Sequence, residues 1–293
     1  MNDLFTPRQV ARAIHVSESS VKRWCDKGMI ATQYTAGGHR RILLGDLLKF
    51  LRNGQIDLVN PEILGLPVTS RKTPRTLSQA SAQLAEALLV GEEYLCRQLT
   101  MELFLAEHSL SVICDEVFAT AFRTVGDCWA DGSAEIYQER RASEIAMRLL
   151  HELRSLLPGL PTDAPVAVGG TVSGDHYTLG TTMAELVLRD AKWKAVSLGD
   201  HLPFCTIAAA IKEQRPQLFW LSCSHIEDAA AFLEGYQELY EEFGFDVAFV
   251  VGGFALSEEL RQQMKFSAHC DNFQHLAGFA QTLMGAMQRE GEK

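Results

Sequence analysis

The 293-residue sequence has no C-x-x-C pair and no apolar run of the ~18 residues that a membrane helix needs. It also has no Gly-x-Gly-x-x-Gly or Gly-Lys-Ser/Thr phosphate loop. Each absence excludes something. Without paired cysteines, the seven scattered ones (Cys25, Cys96, Cys114, Cys128, Cys205, Cys223, Cys270) read as free thiols in a reducing compartment, and neither zinc nor an iron–sulfur cluster is expected. Without a signal-peptide pattern or a long apolar run, the chain is expected to be soluble and cytoplasmic, with no membrane partner. Without a phosphate loop, a dinucleotide enzyme or an NTPase is disfavoured. Excess positive charge is lacking too, the net charge being −10. The charge is uneven, however. Residues 1–52 carry nine Lys/Arg against four acids, a net of +5, so the rest holds −15. A basic head on an acidic body predicts that the head alone meets a polyanion.

The head reads as a DNA-binding unit. Thr6-Pro7-Arg8-Gln9 is a complete helix-start signal, and Ser17 caps a second helix from Glu18 to about Lys27, stopped by Gly28. Two short β-like runs around Gly37-Gly38 form a wing whose tip presents His39, Arg40 and Arg41, and Asp46–Leu51 is a third helix. The order helix, helix, Gly-Gly-His-Arg-Arg wing, helix resembles the MerR-type winged helix-turn-helix over residues 5–52. In such a head the second helix lies in a major groove of double-stranded DNA. Lys22, Arg40 and Arg41 would meet phosphates, and Arg23 or Ser20 would reach base edges. Trp24 and Tyr34 are expected in the core.

Residues 54–76, rich in Pro, Gly and Ser, read as a linker following a head of residues 1–53. Residues 77–158 change to helical periodicity, cut into a four-helix bundle at Gly91, Ser109 and Asp131-Gly132. From 163 to 290 strands alternate with helices, which predicts a parallel sheet covered on both faces, a Rossmann-like (flavodoxin-like) α/β domain. The whole is therefore a multidomain α and α/β protein.

The stretch Pro165–Gly180 is strand, loop and helix, so its loop sits at the carboxyl end of a strand, where open α/β sheets bind ligands. Gly174-Asp175-His176-Tyr177-Thr178-Leu179-Gly180 resembles the cobalamin-binding signature Asp-x-His-x-x-Gly, with Asp175 and Gly180 in place. Tyr177 stands in the slot of the cobalt-ligating histidine, and His176 lies one place early. Ser222, with Ser224 beside it, and Gly252-Gly253 match the family's serine after the third strand and Gly-Gly after the fourth. A serine can hydrogen-bond a buried base, and glycines let a bulky ligand approach the backbone. In the bundle, Trp129 and Glu139 resemble the pair that covers adenosylcobalamin in the light-responsive cobalamin-dependent repressors of carotenoid synthesis. Arg140 occupies that family's histidine slot. The other reading of Trp129 is a bundle-core residue, with Glu139 and Arg140 on a solvated helix face.

The resemblance implies a transcription regulator, a repressor, whose body controls assembly on its operator as a homodimer or tetramer. Light would break the cobalt–carbon bond and release DNA. A tyrosine phenol, as at Tyr177, is a hard oxygen donor and a poor substitute for imidazole toward cobalt, so ordinary photochemistry is expected to be weak or absent. Three occupants stay open: cobalamin without a protein ligand, another tetrapyrrole such as haem or a bilin (with His176 as a candidate metal ligand), or none. The second class of function is a corrinoid enzyme or methyl-group carrier. A carrier depends on the lower histidine and has no use for residues 5–52, so no enzyme is expected.

Overall fold

A computed structural model describes residues 4–54, 56–66 and 76–291. The chain divides into two compact units, Met1–Ser109 with Glu116–Gly159, and Leu110–Asp115 with Leu160–Lys293.

In the first unit, strand β1 (Leu4–Phe5) leads into α1 (Pro7–Ala13), whose Thr6/Gln9 capping box closes as the sequence predicts. Ser17 caps α2 (Glu18–Asp26), accepting from the Ser20 N–H at 3.1 Å. A ribbon follows, β2 (Gln33–Tyr34) and β3 (Arg40–Leu43), and then α3 (Leu44–Gly54). The three strands form one antiparallel sheet in the order β1-β3-β2. Val10, Val21, Ile30, Ile42 and Leu47 fill the core beneath it. Trp24 is half-buried and packs its ring on Phe50, centroids 5.0 Å apart. Tyr34 is not in the core: it is 61% exposed, because β2 is a two-residue edge with both side chains outward. The β1 pairing was not foreseen, since two residues carry no periodicity.

Composition marked residues 54–76 as linker, yet 56–66 fold onto the head. The N–H groups of Val59 and Asn60 donate to the Ala13 carbonyl, a 3-10 turn forms at Pro61–Leu64, and Leu64 and Leu66 are buried. Pro and Gly here shape a turn that Leu64 and Leu66 hold down. Residues 67–75 of that segment lie outside the described residues.

Helices α4 (Leu77–Val90), α5 (Glu93–Leu105) and α8 (Ile136–Ser155) and a composite third helix make the bundle. The composite runs from α6 (Leu110–Val112) through a π-helical stretch (Ile113–Ala119) into α7 (Thr120–Ala130). Arg97 of α5 makes a bidentate pair with Glu152 of α8 and donates to the Gly65 carbonyl at 2.8 Å, tying the folded segment to the bundle. Gly45 sits against the end of α8 so closely that a Cβ would lie 2.6 Å from the Leu156 carbonyl oxygen.

The second unit is built on β4 (Val166–Gly170), β5 (Lys194–Ser197), β6 (Leu218–Ser222), β7 (Ala248–Gly252) and β8 (Ala268–His269). All pairs are parallel, in the order β5-β4-β6-β7-β8, the flavodoxin-like arrangement. Helices α9 (Thr178–Asp190) and α13 (Phe273–Gly291) pack together. The α10 (Phe204–Gln214) and α11 (Ala229–Phe243) helices share a core of Ile207, Ile211, Phe232 and Tyr236 with Val168, Phe219 and Phe249 of the sheet. A one-turn helix, α12 (Glu258–Arg261), precedes β8. Gly169 stands opposite Trp220 in the ladder, where a Cβ would land on the indole. The strand pattern Val-Ala-Val-Gly-Gly thus makes room for a tryptophan behind the ligand-binding edge.

Candidate functional site

The head's cationic residues occupy α2 and the wing. Lys22 is exposed and pairs with Glu18 at 2.8 Å one turn back, and Arg23 is exposed beside it. Ser20 is half-buried, its hydroxyl sharing a hydrogen bond with Ser17 at 2.8 Å, so it serves the cap of α2. His39 is exposed at the wing turn, its N–H donating to Thr35 Oγ1 at 3.1 Å. Gly38 supplies the positive φ of 73° that the turn requires. Arg41 donates to the Arg40 carbonyl at 2.9 Å. Arg40 is turned inward: Nη2 meets Asp26 Oδ1 at 2.5 Å and Nη1 reaches the Lys22 carbonyl at 3.4 Å. A hydrogen bond with Tyr34 and then the Asp26 charge raise the Arg40 pKa above the ordinary arginine value.

In the bundle, Trp129 is 53% exposed at the end of α7, which corrects the alternative that buried it in the core. Ile136 and Tyr137 at the start of α8 are exposed as well, and Arg141 lies over the Tyr137 ring. Glu139 is half-buried, accepts from Ser143 at 3.3 Å and pairs with the largely exposed Arg140 at 3.5 Å.

At the carboxyl edge of the parallel sheet a cavity of about 190 Å³ opens between the ends of β6 and β7 and the first turns of α9 and α13. Gly180, Ser222, Ser224, Gly252 and Gly253 all line it. Trp220, Cys270, Asn272 and Phe273 complete the wall. A Cβ on Gly180 would stand 2.8 Å from Ser222 Oγ, so glycine there keeps the entrance open. Gly253, at φ 118°, packs so tightly on the Cys223 carbonyl that no side chain fits.

The loop residues divide differently from the motif. Asp175 is fully buried and lies outside the cavity wall, its Oδ2 accepting from the Ser224 N–H at 2.6 Å and its Oδ1 from the Tyr177 N–H at 3.1 Å. It staples the β4–α9 loop to the turn after β6. Neither His176 nor Tyr177 lines the cavity. His176 is exposed, stacks on His201 with ring centroids 4.5 Å apart, and approaches Asp200 at 3.5 Å. His201 accepts from the Gly174 N–H through Nδ1 at 2.7 Å. Tyr177 is 53% exposed at the start of α9. Among the described residues no three His, Cys, Asp or Glu side chains gather so as to hold a metal ion.

Sequence reasoning missed the far wall. Asp115, in the π-helical stretch, accepts from the N–H groups of Phe273 and Gln274 at 2.8 and 2.9 Å and so caps α13 from 158 residues away. Asn272 caps the same helix locally, a signal the sequence did carry. Burial pushes the Cys270 thiol up to about 11 and drives Cys223 well above the ordinary range, with the Asp175 charge adding to the latter. Burial and then Arg261 hold His269, at the end of β8, below the usual histidine value.

No helix among the described residues is long and apolar enough to cross a membrane. Residues 4–55 match a family model described as a helix-turn-helix domain, and residues 80–154 one described as a B12 binding domain. Among proteins of curated function none matches the chain. Of solved structures, the monomethylamine corrinoid protein of Methanosarcina barkeri is similar at 17% identity and a TM-score of 0.58, over 71% of this chain and all of that one. A cobalamin-binding protein from Desulfitobacterium hafniense is 20% identical with a TM-score of 0.38, over 70% of this chain and 98% of that one. The methanol:cobalamin methyltransferase complex of Methanosarcina barkeri is 15% identical with a TM-score of 0.40, over 80% and 92%. The chain joins a helix-turn-helix domain to a helical segment that matches a B12 binding domain, followed by a parallel sheet of Rossmann-like fold.

Proposed function

We propose that the chain is a DNA-binding transcription regulator, a repressor, whose corrinoid-holding body sets its assembly and its grip on DNA. It would work through a head at 1–53, a segment at 54–76, a bundle at 77–158 and a sheet domain at 163–290. One observation carries the reading: a helix-turn-helix head of net charge +5 stands on the same chain as a bundle that matches a B12 binding domain and a parallel sheet with a cavity at its carboxyl edge. Lys22, Arg23, His39 and Arg41 are the DNA contacts, in duplex grooves and on phosphates. Two copies reading two half-sites would pair through their bodies, since among the described residues the head has no helix longer than α3.

The cavity fits one end of a corrinoid. Gly180, Gly252 and Gly253 leave backbone bare for a flat base, and Ser222 offers it a hydroxyl. The loop does not fit the usual lower ligand, because Tyr177 brings a phenol where imidazole is needed. We therefore assign the tail of the group to the cavity and no cobalt ligand to Tyr177. Resemblance alone assigns Trp129, Glu139 and Arg140 to the same ligand. When bound, such a group supplies colour and a light-sensitive cobalt–carbon bond. The chain's own residues hold it, exclude water from its tail and carry its presence to the head.

The test is to mix the protein in the dark with adenosylcobalamin, desalt it, record its absorption, and then illuminate it. Retained corrinoid colour supports the reading, and a spectrum without histidine ligation supports the role given to Tyr177. Colourless protein after desalting removes the corrinoid. Duplex binding that is absent at every salt concentration removes the regulator and favours the carrier.

A further inference from the structure

Resting on the DNA-binding reading above, we propose that Arg40 and Asp26 form a clamp that aims the wing at DNA, with Arg40 a positioning residue and Arg41 the wing's phosphate contact. The ribbon cannot aim itself. Two ladder pairs join β2 to β3, Gln33 with Arg41 and Tyr34 with Arg40, and Thr35 closes the turn by donating to the His39 carbonyl at 2.9 Å and accepting from Gly38 and His39. All of these bonds lie within the ribbon and none ties it to α2. Ribbons this short are not stable on their own in water. The base of β3 is held by β1 at Leu43 and Ile42, which leaves the tip to find another anchor. Arg40 supplies it by crossing to α2, where one guanidinium nitrogen takes the Asp26 carboxylate and another the Lys22 carbonyl. Its side chain is only 25% exposed, whereas that of Asp26 is 57% exposed. The clamp closes on the helix that carries Lys22 and Arg23, so it fixes the angle between the two DNA-contacting elements.

This geometry also accounts for Asp26 on the helix that presents Lys22 and Arg23. An isolated carboxylate on α2 would repel phosphates and gain the head nothing. Paired with Arg40, Asp26 holds the wing in register with the recognition helix. The local positive charge is then carried by Lys22, Arg23 and Arg41.

The two roles predict opposite signs for one substitution. If Asp26 is a bystander, Asp26→Asn removes a negative charge and tightens DNA binding. If it is half of a clamp, Asp26→Asn weakens binding about tenfold, the size of one coupled pair. The measurement is fluorescence anisotropy of the full-length protein on a labelled mixed-sequence duplex over a range of salt concentrations. Asp26→Glu keeps binding near the wild-type level. Arg40→Gln added to Asp26→Asn costs no more than Arg40→Gln alone. Arg41→Gln lowers the slope of log affinity against log salt by ~0.9, the signature of one lost phosphate contact. As a readout without DNA, trypsin cuts at Arg40 and Arg41 faster in Asp26→Asn, while the melting curve is unchanged. Equal or tighter binding by Asp26→Asn, with wild type binding DNA normally, overturns the clamp and leaves the regulator standing. Wild type that shows no salt-dependent binding overturns the regulator, and the trypsin comparison then still decides whether the clamp exists.

Discussion

Replacing Asp175 with alanine tests how the ligand-binding edge is held together. In the native loop its buried carboxylate is the shared acceptor for two backbone donors, Ser224 N–H at 2.6 Å and Tyr177 N–H at 3.1 Å. Hydrogen bonds to charged groups are worth ~1.5–3 kcal/mol each, and a buried donor left without its acceptor adds a desolvation cost. The Tyr177 N–H lies nearer solvent and can turn to water, so its share falls at the low end. The expected loss is about 3–4 kcal/mol. At ~2–4 °C per kcal/mol for a unit of this size, the melting point falls by roughly 10 °C. Asp175→Asn keeps one carbonyl acceptor and gives about half that drop. Differential scanning calorimetry of the full-length chain reads both. Melting of Asp175→Ala within about 1 °C of wild type would refute the staple, and the motif's aspartate would then need a direct ligand role.

Other consequences are open to measurement. Gly180→Leu puts a side chain where even a Cβ lies 2.8 Å from Ser222 Oγ, so corrinoid retained after desalting is lost with the melting curve little changed. Retention as in wild type would place the ligand elsewhere. Because His269 is held below its unfolded value of ~6.5, the unfolded chain binds a proton that the native one refuses. Stability contributed by this residue is therefore lost as pH falls through about 6.5 and levels off below the folded pKa. His269→Gln flattens the melting-point profile as pH falls through about 6.5, whereas parallel profiles contradict the assignment. With a thiol reagent at neutral pH, exposed Cys205 reacts first. Buried Cys96, Cys114 and Cys223, all with raised pKa values, stay silent until unfolding. Early labelling of Cys223 would mean that the sheet core opens.

Much of this architecture was legible because it rests on local chemistry. The capping box at Thr6, the Ser17 cap and the Gly37-Gly38 turn fix the head within a few residues, and the alternation of strands and helices from 163 to 290 gives the parallel sheet. The cavity glycines and Ser222 were legible through the ends of their strands, because topology brings carboxyl ends together. Other features depend on partners far along the chain. Asp115 caps α13 across 158 residues, and Arg40 turns to an acid on another element. The motif's own residues were the least legible. Asp175 is a backbone staple, and His176 spends its ring on His201. The π-helical stretch has no sequence periodicity that separates it from an α-helix. Tyr34 looked like core because it is aromatic, but a two-residue edge strand cannot bury it.

The central claim is that the occupant of the sheet domain governs the head's hold on DNA. The most direct test is the affinity of the full-length protein for duplex DNA, measured in the dark with and without saturating adenosylcobalamin at one salt concentration. The account predicts a change of at least about fivefold between the two, the lower end of coupling between linked sites. Identical affinities with the corrinoid demonstrably bound would contradict it.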